Sequence, residues 1–322
     1  MPTDILISEN IAGHGVDELK QQFAVAADPG LWKSPERLKA LLPGCRALIV
    51  RNQTRVDADL LTAAAGLKII GRAGAGLDNI DVSAASARGI VVVSTPDQNS
   101  ISVAELTLGL MLALARKIPA ASQHAKHNGW ERQQFVGAEL FGKRLGIIGL
   151  GRIGVLTAIR ARALGMHILA HDRFVSPDAI AVTETRARLV DLDVLLAESD
   201  FVSCHTPLTP ETKHLFDYDR FLQMKPTAYF LNLSRGEVVE ETGLVRALQE
   251  KRIAGAALDV RASEPPKAGP LAEFDNVILT PHIAAFTQEA QARVVAAVCQ
   301  DVTTVLTGGA AKNFANFSKP KN

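Results

Sequence analysis

Leu145-Gly146-Ile147-Ile148 runs straight into Gly149-Leu150-Gly151-Arg152-Ile153-Gly154 and then into a helix-forming stretch through Leu164. Few folds use such a passage. Gly149 permits a tight turn, Gly151 clears a side chain from the path of a pyrophosphate, and Gly154 lets the helix approach the strand. The helix start then offers unpaired N–H groups to the phosphates. Isolated glycine triplets are usually loops, but one set between strand and helix points to a doubly wound, dinucleotide-binding sheet. The next strand, His167 to Ala170, ends at His171-Asp172, where a carboxylate accepts hydrogen bonds from the adenosine ribose. NAD is expected over NADP, whose extra phosphate Asp172 would repel. Arg173 could accept that phosphate; with the acid at the strand end it reads as solvated, and NADP use as a minor activity.

Similar alternation extends both ways. Ile5 to Ile7, Ala47 to Val50, Lys68 to Ile70 and Ile90 to Val93 read as strands, with helices at Leu38 to Leu42 and Asp57 to Ala65. Turn-forming Ser94 to Ser100 precedes a helical run from Val103 to Arg116. Beyond Arg144, strands are expected at Leu145 to Ile148, His167 to Ala170, Phe201 to Cys204, Tyr229 to Leu233, Gly255 to Asp259 and Val277 to Leu279. Their unbroken apolar character predicts burial on both faces. The last helix, Gln288 to Leu306, has no strand after it and is expected to return to the first domain. At 322 residues, 47% hydrophobic but only 5% aromatic, two α/β cores fit better than one.

A formal charge of +1, from 35 Lys+Arg against 34 Asp+Glu, gives no basis for nucleic-acid binding through bulk charge. Cys45, Cys204 and Cys299 form no CxxC pattern, so a reduced cytoplasmic compartment and no structural metal are expected. Asp4 to Ser8 reads as a first strand rather than a signal peptide. The longest apolar run, Leu106 to Ala115, falls short of the roughly 20 residues that cross a bilayer, and is expected to be a buried helix.

Three later strand ends carry reactive side chains: Asn232-Leu233-Ser234-Arg235-Gly236, Leu258-Asp259 through Glu264-Pro265-Pro266, and Thr280-Pro281-His282. In open α/β sheets ligands bind beyond the carboxyl ends of strands. Reduction of a 2-keto acid needs a cation to bind carboxylate and polarise ketone, an acid to protonate the developing alkoxide, and a partner to keep that acid charged. Arg235, His282 and Glu264 suit those roles in order. Singly each has a duller reading, as surface ion pair, loop acid or satisfied histidine; together with the nucleotide fingerprint they read as one catalytic set.

These stretches, with Gly71-Arg72-Ala73-Gly74-Ala75-Gly76-Leu77-Asp78-Asn79 and His205-Thr206-Pro207-Leu208, resemble the D-isomer-specific 2-hydroxyacid dehydrogenase family, most closely the catalytic cores of its D-3-phosphoglycerate dehydrogenase members. The resemblance spans nearly the whole chain, six motifs in the family's order. It implies a Rossmann NAD domain, residues 101–287, inserted in a smaller flavodoxin-like substrate domain, residues 1–100 and 288–322. It further implies that Arg152 and Ile153 meet the pyrophosphate and Asp172 the ribose. By the same resemblance Thr206, Leu233, Ser234 and Asp259 meet the nicotinamide half, Pro207, Arg235, His282, Ala284 and Ala285 also bind the cofactor, and Arg235, Glu264 and His282 are catalytic. A homodimer through residues 101 to 140 is implied as well. Alanine stands at Ala284, where the family often has glycine, and without a serine-binding domain in this sequence no serine feedback is expected.

Arg51 and Arg72 follow strands of the small domain and suit a second anion on the substrate, and the amides of Ala73, Gly74 and Ala75 suit its carboxylate. A 3-phosphoglycerate-like substrate, a sulfolactate, or a plain glyoxylate, hydroxypyruvate or lactate with both arginines structural all remain open. A different class, the NAD-sensing co-repressor proteins that share this core, is distinguished by binding without turnover; this chain carries no long low-complexity extension of the tethering kind.

Overall fold

The computed structural model describes residues 3–321. The chain forms two compact units, Met1–Asn99 with Phe286–Asn322, and Ser100–Ala285.

In the first unit, β1 (Ile5–Ile7), β2 (Val25–Ala27), β3 (Ala47–Val50), β4 (Ile69–Arg72) and β5 (Val91–Val93) form one parallel sheet in the order β2-β1-β3-β4-β5. This is the flavodoxin-type order. Alternate residues of each strand point to opposite faces, and both faces are covered. Ile5, Ile7, Ile49, Ile69, Val91 and Val93 pack on Val294, Val298 and Val302 of the helix Gln288–Leu306, whereas Leu6, Leu48, Val50, Ile70 and Val92 pack on Leu38, Leu42, Leu60 and Leu61. Gly71 makes the close helix contact possible, since a Cβ there would stand 2.7 Å from the Val298 side chain. Beyond that helix the chain covers the outer edge of β5. Ser94 N–H donates to Asn313 O (3.1 Å), Ala315 N–H to Val92 O (2.7 Å), and Asn316 Oδ1 accepts from Val92 N–H (2.9 Å).

The second unit has seven strands: β6 (Arg144–Ile148), β7 (His167–His171), β8 (Arg188–Leu189), β9 (Phe201–Cys204), β10 (Tyr229–Asn232), β11 (Gly255–Leu258) and β12 (Val277–Leu279). They lie parallel in the order β12-β11-β10-β9-β6-β7-β8. The order reverses between β6 and β9, which is the switch point where a doubly wound sheet opens for a ligand. The helix Ser100–Ala115 carries no acidic or basic residue in its end turns and few polar ones. Ten of its residues are buried, but Ile101 and Leu112 remain exposed, as do the following Ile118, Trp130 and Val136. Among the described residues no helix is long and apolar enough to cross a membrane.

Candidate functional site

At the switch point, β6 ends in the glycine loop and the helix Arg152–Ala163 begins. Gly149 has φ +90°, a conformation that favours glycine, and an added Cβ would meet the His205 carbonyl oxygen at 2.8 Å. At Gly154 a Cβ would lie 2.2 Å from Gly149 O. Gly151 differs: nothing lies within 4 Å of the added atom, so the space beside it is open to a ligand. Asp172, just past β7, braces the loop: Oδ2 accepts the Leu150 N–H and Oδ1 the Phe174 N–H, both at 2.8 Å. Glycine cradle, helix start and carboxylate fit the pyrophosphate and ribose of a dinucleotide.

Strand β9 leads into His205, Thr206 and Pro207. Thr206 Oγ1 lies 3.5 Å from Cys204 Sγ, and Ser234 Oγ, after β10 and Leu233, lies 3.6 Å from the same sulfur. Ser203 Oγ meets His205 Nε2 at 2.9 Å. Burial pushes the His205 imidazole down to about 4 from 6.5. Native His205 therefore stays neutral where the unfolded chain takes up a proton. Its contribution to stability is complete above pH 6.5 and is lost as the pH falls toward 4, at about 1.4 kcal/mol per pH unit. Urea midpoints followed downward from neutrality should fall more steeply for the wild type than for His205→Asn; parallel curves would remove His205 as the source.

The catalytic candidates come together in this unit. His282 Nδ1 stands 2.7 Å from Glu264 Oε2. Burial raises the Glu264 carboxyl, but the His282 hydrogen bond and charge, the Arg261 N–H (3.2 Å) and the charge of Arg235 outweigh it and leave the group below its ordinary value. Glu264 is thus held as a carboxylate, beside His282 and within the field of Arg235. Arg235 Nη1 donates to Ser234 O (2.8 Å), and its loop is fixed by Asn232, whose Nδ2 donates to Arg235 O (2.9 Å). Gly236 packs so closely on Arg261 that a Cβ would fall 2.0 Å from its carbonyl. Arg261 in turn makes a two-pronged ion pair with Glu241, at 2.9 and 2.7 Å.

His282 itself sits at φ +54°, an unusual conformation for a residue with a Cβ, and the cause is visible. Asp259, 1% exposed, accepts the Thr280 hydroxyl (2.6 Å) and the N–H groups of Ile283 and Ala284 (both 2.9 Å), and its carbonyl accepts the His282 N–H (2.8 Å). Asp259, which the resemblance places at the nicotinamide, clamps the histidine loop in this structure, and the Ala284 N–H is used inside the protein.

In the first unit, Arg51 follows β3 and Arg72 ends β4. Arg51 lies over the Phe286 ring, 5.3 Å from its centre. Arg72 Nη1 donates to Ala73 O (3.3 Å) and folds over Gly74, whose φ is +146°. The expectation that the amides of Ala73, Gly74 and Ala75 all serve a carboxylate needs correction. Ala73 N–H donates to Val50 O (2.8 Å) and Gly74 N–H to Arg72 O (2.9 Å), because the chain continues the β3–β4 pairing for one residue and then turns tightly; of the three, Ala75 is the candidate donor that these bonds leave. Sequence reasoning missed Glu9, the Glu241–Arg261 pair and the bonds by which Asn79 of the Gly71–Asn79 motif holds the 51–54 turn, because in each case the partners lie tens of residues apart.

Residues 108–284 match the family described as D-isomer specific 2-hydroxyacid dehydrogenase, NAD binding domain. The D-3-phosphoglycerate dehydrogenase of Synechocystis sp. is 45% identical over 97% of this chain and 56% of its own length; the chain thus spans little more than half of that relative. Among solved structures, the TT0316 protein from Thermus thermophilus superposes with a TM-score of 0.91 at 34% identity, covering 97% of this chain and 99% of that one. A glyoxylate reductase from Paecilomyes thermophila does so with 0.88 at 30% identity, over 98% and 99%.

Proposed function

The chain belongs to the D-isomer specific 2-hydroxyacid dehydrogenase family, and on that premise we propose that it interconverts a small 2-hydroxy acid and its 2-keto acid with NAD. The observation that carries the reading is the His282–Glu264 pair at 2.7 Å, within the field of Arg235, in the same unit as a dinucleotide cradle. NAD, when bound, supplies the acceptor or donor of the hydride at C2. Arg235 binds the substrate carboxylate and polarises the C2 oxygen through its planar fork of donors. Glu264 sits at Nδ1, which leaves Nε2 of His282 as the nitrogen that gives its proton to the C2 oxygen during reduction and takes it back during oxidation. Gly149 to Gly154 with Asp172 hold the dinucleotide.

A D-3-phosphoglycerate-like substrate is the reading favoured for this chain, because Arg51 and Arg72 add cations for a second anionic group. A panel of 3-phosphohydroxypyruvate, 3-sulfopyruvate, hydroxypyruvate, glyoxylate and pyruvate, assayed with NADH and again with NADPH, tests it. Arg51→Ala should raise KM for the dianionic acids on the order of tenfold and leave the monoanions near wild type. Equal losses for both classes reduce Arg51 to scaffold. Silence across the panel, with dimerisation driven by NADH, favours an NAD sensor instead.

The same reading makes the chain a cytoplasmic homodimer. Its three cysteines are free and buried. Ile101, Leu112, Ile118, Trp130 and Val136 leave an apolar surface around residues 101 to 140, beside a cavity of about 640 Å³ lined by His124, His127, Phe135, Tyr229 and Ile278. Exposed apolar surface of this kind marks a partner, and a sedimentation mass of one chain would remove the dimer.

A further inference from the structure

One carboxylate of the first unit is more fully committed than the chemistry so far requires. Glu9, two residues beyond β1, is 3% exposed. Its Oε1 accepts the backbone N–H of Arg51 (2.7 Å) and of Thr54 (2.9 Å), and its Oε2 that of Gln53 (3.1 Å). All three donors belong to the turn that follows β3. Asn79 fastens the same turn from the other side, with Nδ2 donating to Arg51 O (2.8 Å) and Thr54 O (2.6 Å), while Ser8 Oγ and Thr54 Oγ1 share a bond of 2.8 Å. Backbone N–H groups buried at a turn need acceptors, and an ionised carboxylate makes the strongest ones.

The Arg51 side chain is treated differently from its backbone. Its guanidinium lies on Phe286, with a long 3.5 Å contact to Asn10 O, and among the described residues no carboxylate oxygen stands within ion-pair distance of it. Burial pulls the guanidinium below its ordinary range, and the charge of Glu9 offsets that only in part. As a neighbouring negative charge Glu9 would oppose an incoming anion; as a triple acceptor it holds the turn that presents Arg51.

We propose that Glu9 is a positioning residue, fixing the 51–54 turn so that the Arg51 guanidinium meets a second anionic group on the substrate and thereby setting preference for dianionic over monoanionic 2-keto acids. The proposal rests on the reading of Arg51 given above. Glu9→Gln separates the two effects Glu9 could have. The amide removes the charge and keeps one carbonyl oxygen for Arg51 and Thr54, but turns an NH2 group against the Gln53 N–H.

The experiment measures kcat and KM for 3-phosphohydroxypyruvate and glyoxylate in wild type, Glu9→Gln, Asn79→Ala and Arg51→Ala, with thermal melts of each. Positioning predicts that Glu9→Gln raises KM for 3-phosphohydroxypyruvate on the order of tenfold while kcat and the glyoxylate KM stay within about twofold. Asn79→Ala should move the same ratio in the same direction, which keeps the proposal testable if Glu9→Gln does not fold. A lower KM for the phosphorylated acid in Glu9→Gln means that charge dominates, and overturns the proposal; so do equal changes for both substrates. When Arg51→Ala discriminates between the substrates and neither Glu9→Gln nor Asn79→Ala does, Glu9 alone is refuted. When Arg51→Ala fails to discriminate, the substrate reading falls and this proposal falls with it.

Discussion

His282→Ala is expected to lower kcat for keto-acid reduction by about a hundredfold or more while NADH still binds. The substitution removes the ring nitrogen that Glu264 holds at 2.7 Å, and with the ring goes the proton for the C2 oxygen. It leaves the dinucleotide cradle intact. Asp172 still braces the Leu150 N–H, and the histidine loop keeps its anchor because Asp259 holds Thr280, Ile283 and Ala284 rather than the imidazole. NADH fluorescence titration beside single-turnover reduction reads the two effects separately. Turnover near the wild-type rate would take the acid role away from His282; lost NADH binding would show that the loop, not the proton, had been damaged.

Gly154→Ala should damage the cofactor site through shape alone. The new methyl would stand 2.2 Å from Gly149 O and 3.1 Å from the Ile147 side chain, and neither neighbour gives way easily, since one is backbone and the other is fully buried in the core. Either the helix Arg152–Ala163 retreats by about 1 Å or the Gly149 turn opens. Both displace the N–H groups that face the pyrophosphate. NADH affinity should fall at least on the order of tenfold, with an overpacking penalty of about 1–3 kcal/mol that lowers the melting temperature by several degrees. Gly151→Ala is the contrast, because its methyl meets nothing within 4 Å: it should leave the melt unchanged and still weaken NADH by filling the ligand's space. A Gly154→Ala protein that melts and binds NADH as the wild type does would contradict the geometry.

Much of this was legible from residue order because buried parallel strands are continuous apolar runs. Ala47–Val50, Phe201–Cys204 and Val277–Leu279 occur where the sequence places strands. The strands that escaped are β2, Val25–Ala27, and β8, Arg188–Leu189. Both lie at a sheet edge: β2 is three residues long, alanine-rich and partly exposed, and β8 is only two residues, Arg188 and Leu189, so neither stands out as a β-branched run. The reactive residues were legible for a related reason: Arg235, Glu264 and His282 follow strand ends, and a strand end is a local property. What could not be read was how the backbone uses its donors. That Val50 O and Arg72 O take the Ala73 and Gly74 N–H groups, or that Glu9 serves a turn more than forty residues away, depends on register and packing that no spacing encodes.

The first unit's split into two stretches of chain has a consequence for how the protein is made. Its five strands are complete at Val93, but the apolar sheet face bearing Ile5, Ile7, Ile49, Ile69 and Val91 is closed by Val294, Val298 and Val302, roughly 200 residues later. At about 5–20 residues per second a ribosome takes roughly 10–40 s to reach them. The outer edge of β5 waits longer still, for residues 313–316. Throughout that interval the nascent chain presents one sheet face covered only in part, by Val16 and Leu19 of the helix His14–Gln22, and an open strand edge, so its need for a holding chaperone is expected to last until the final helix docks.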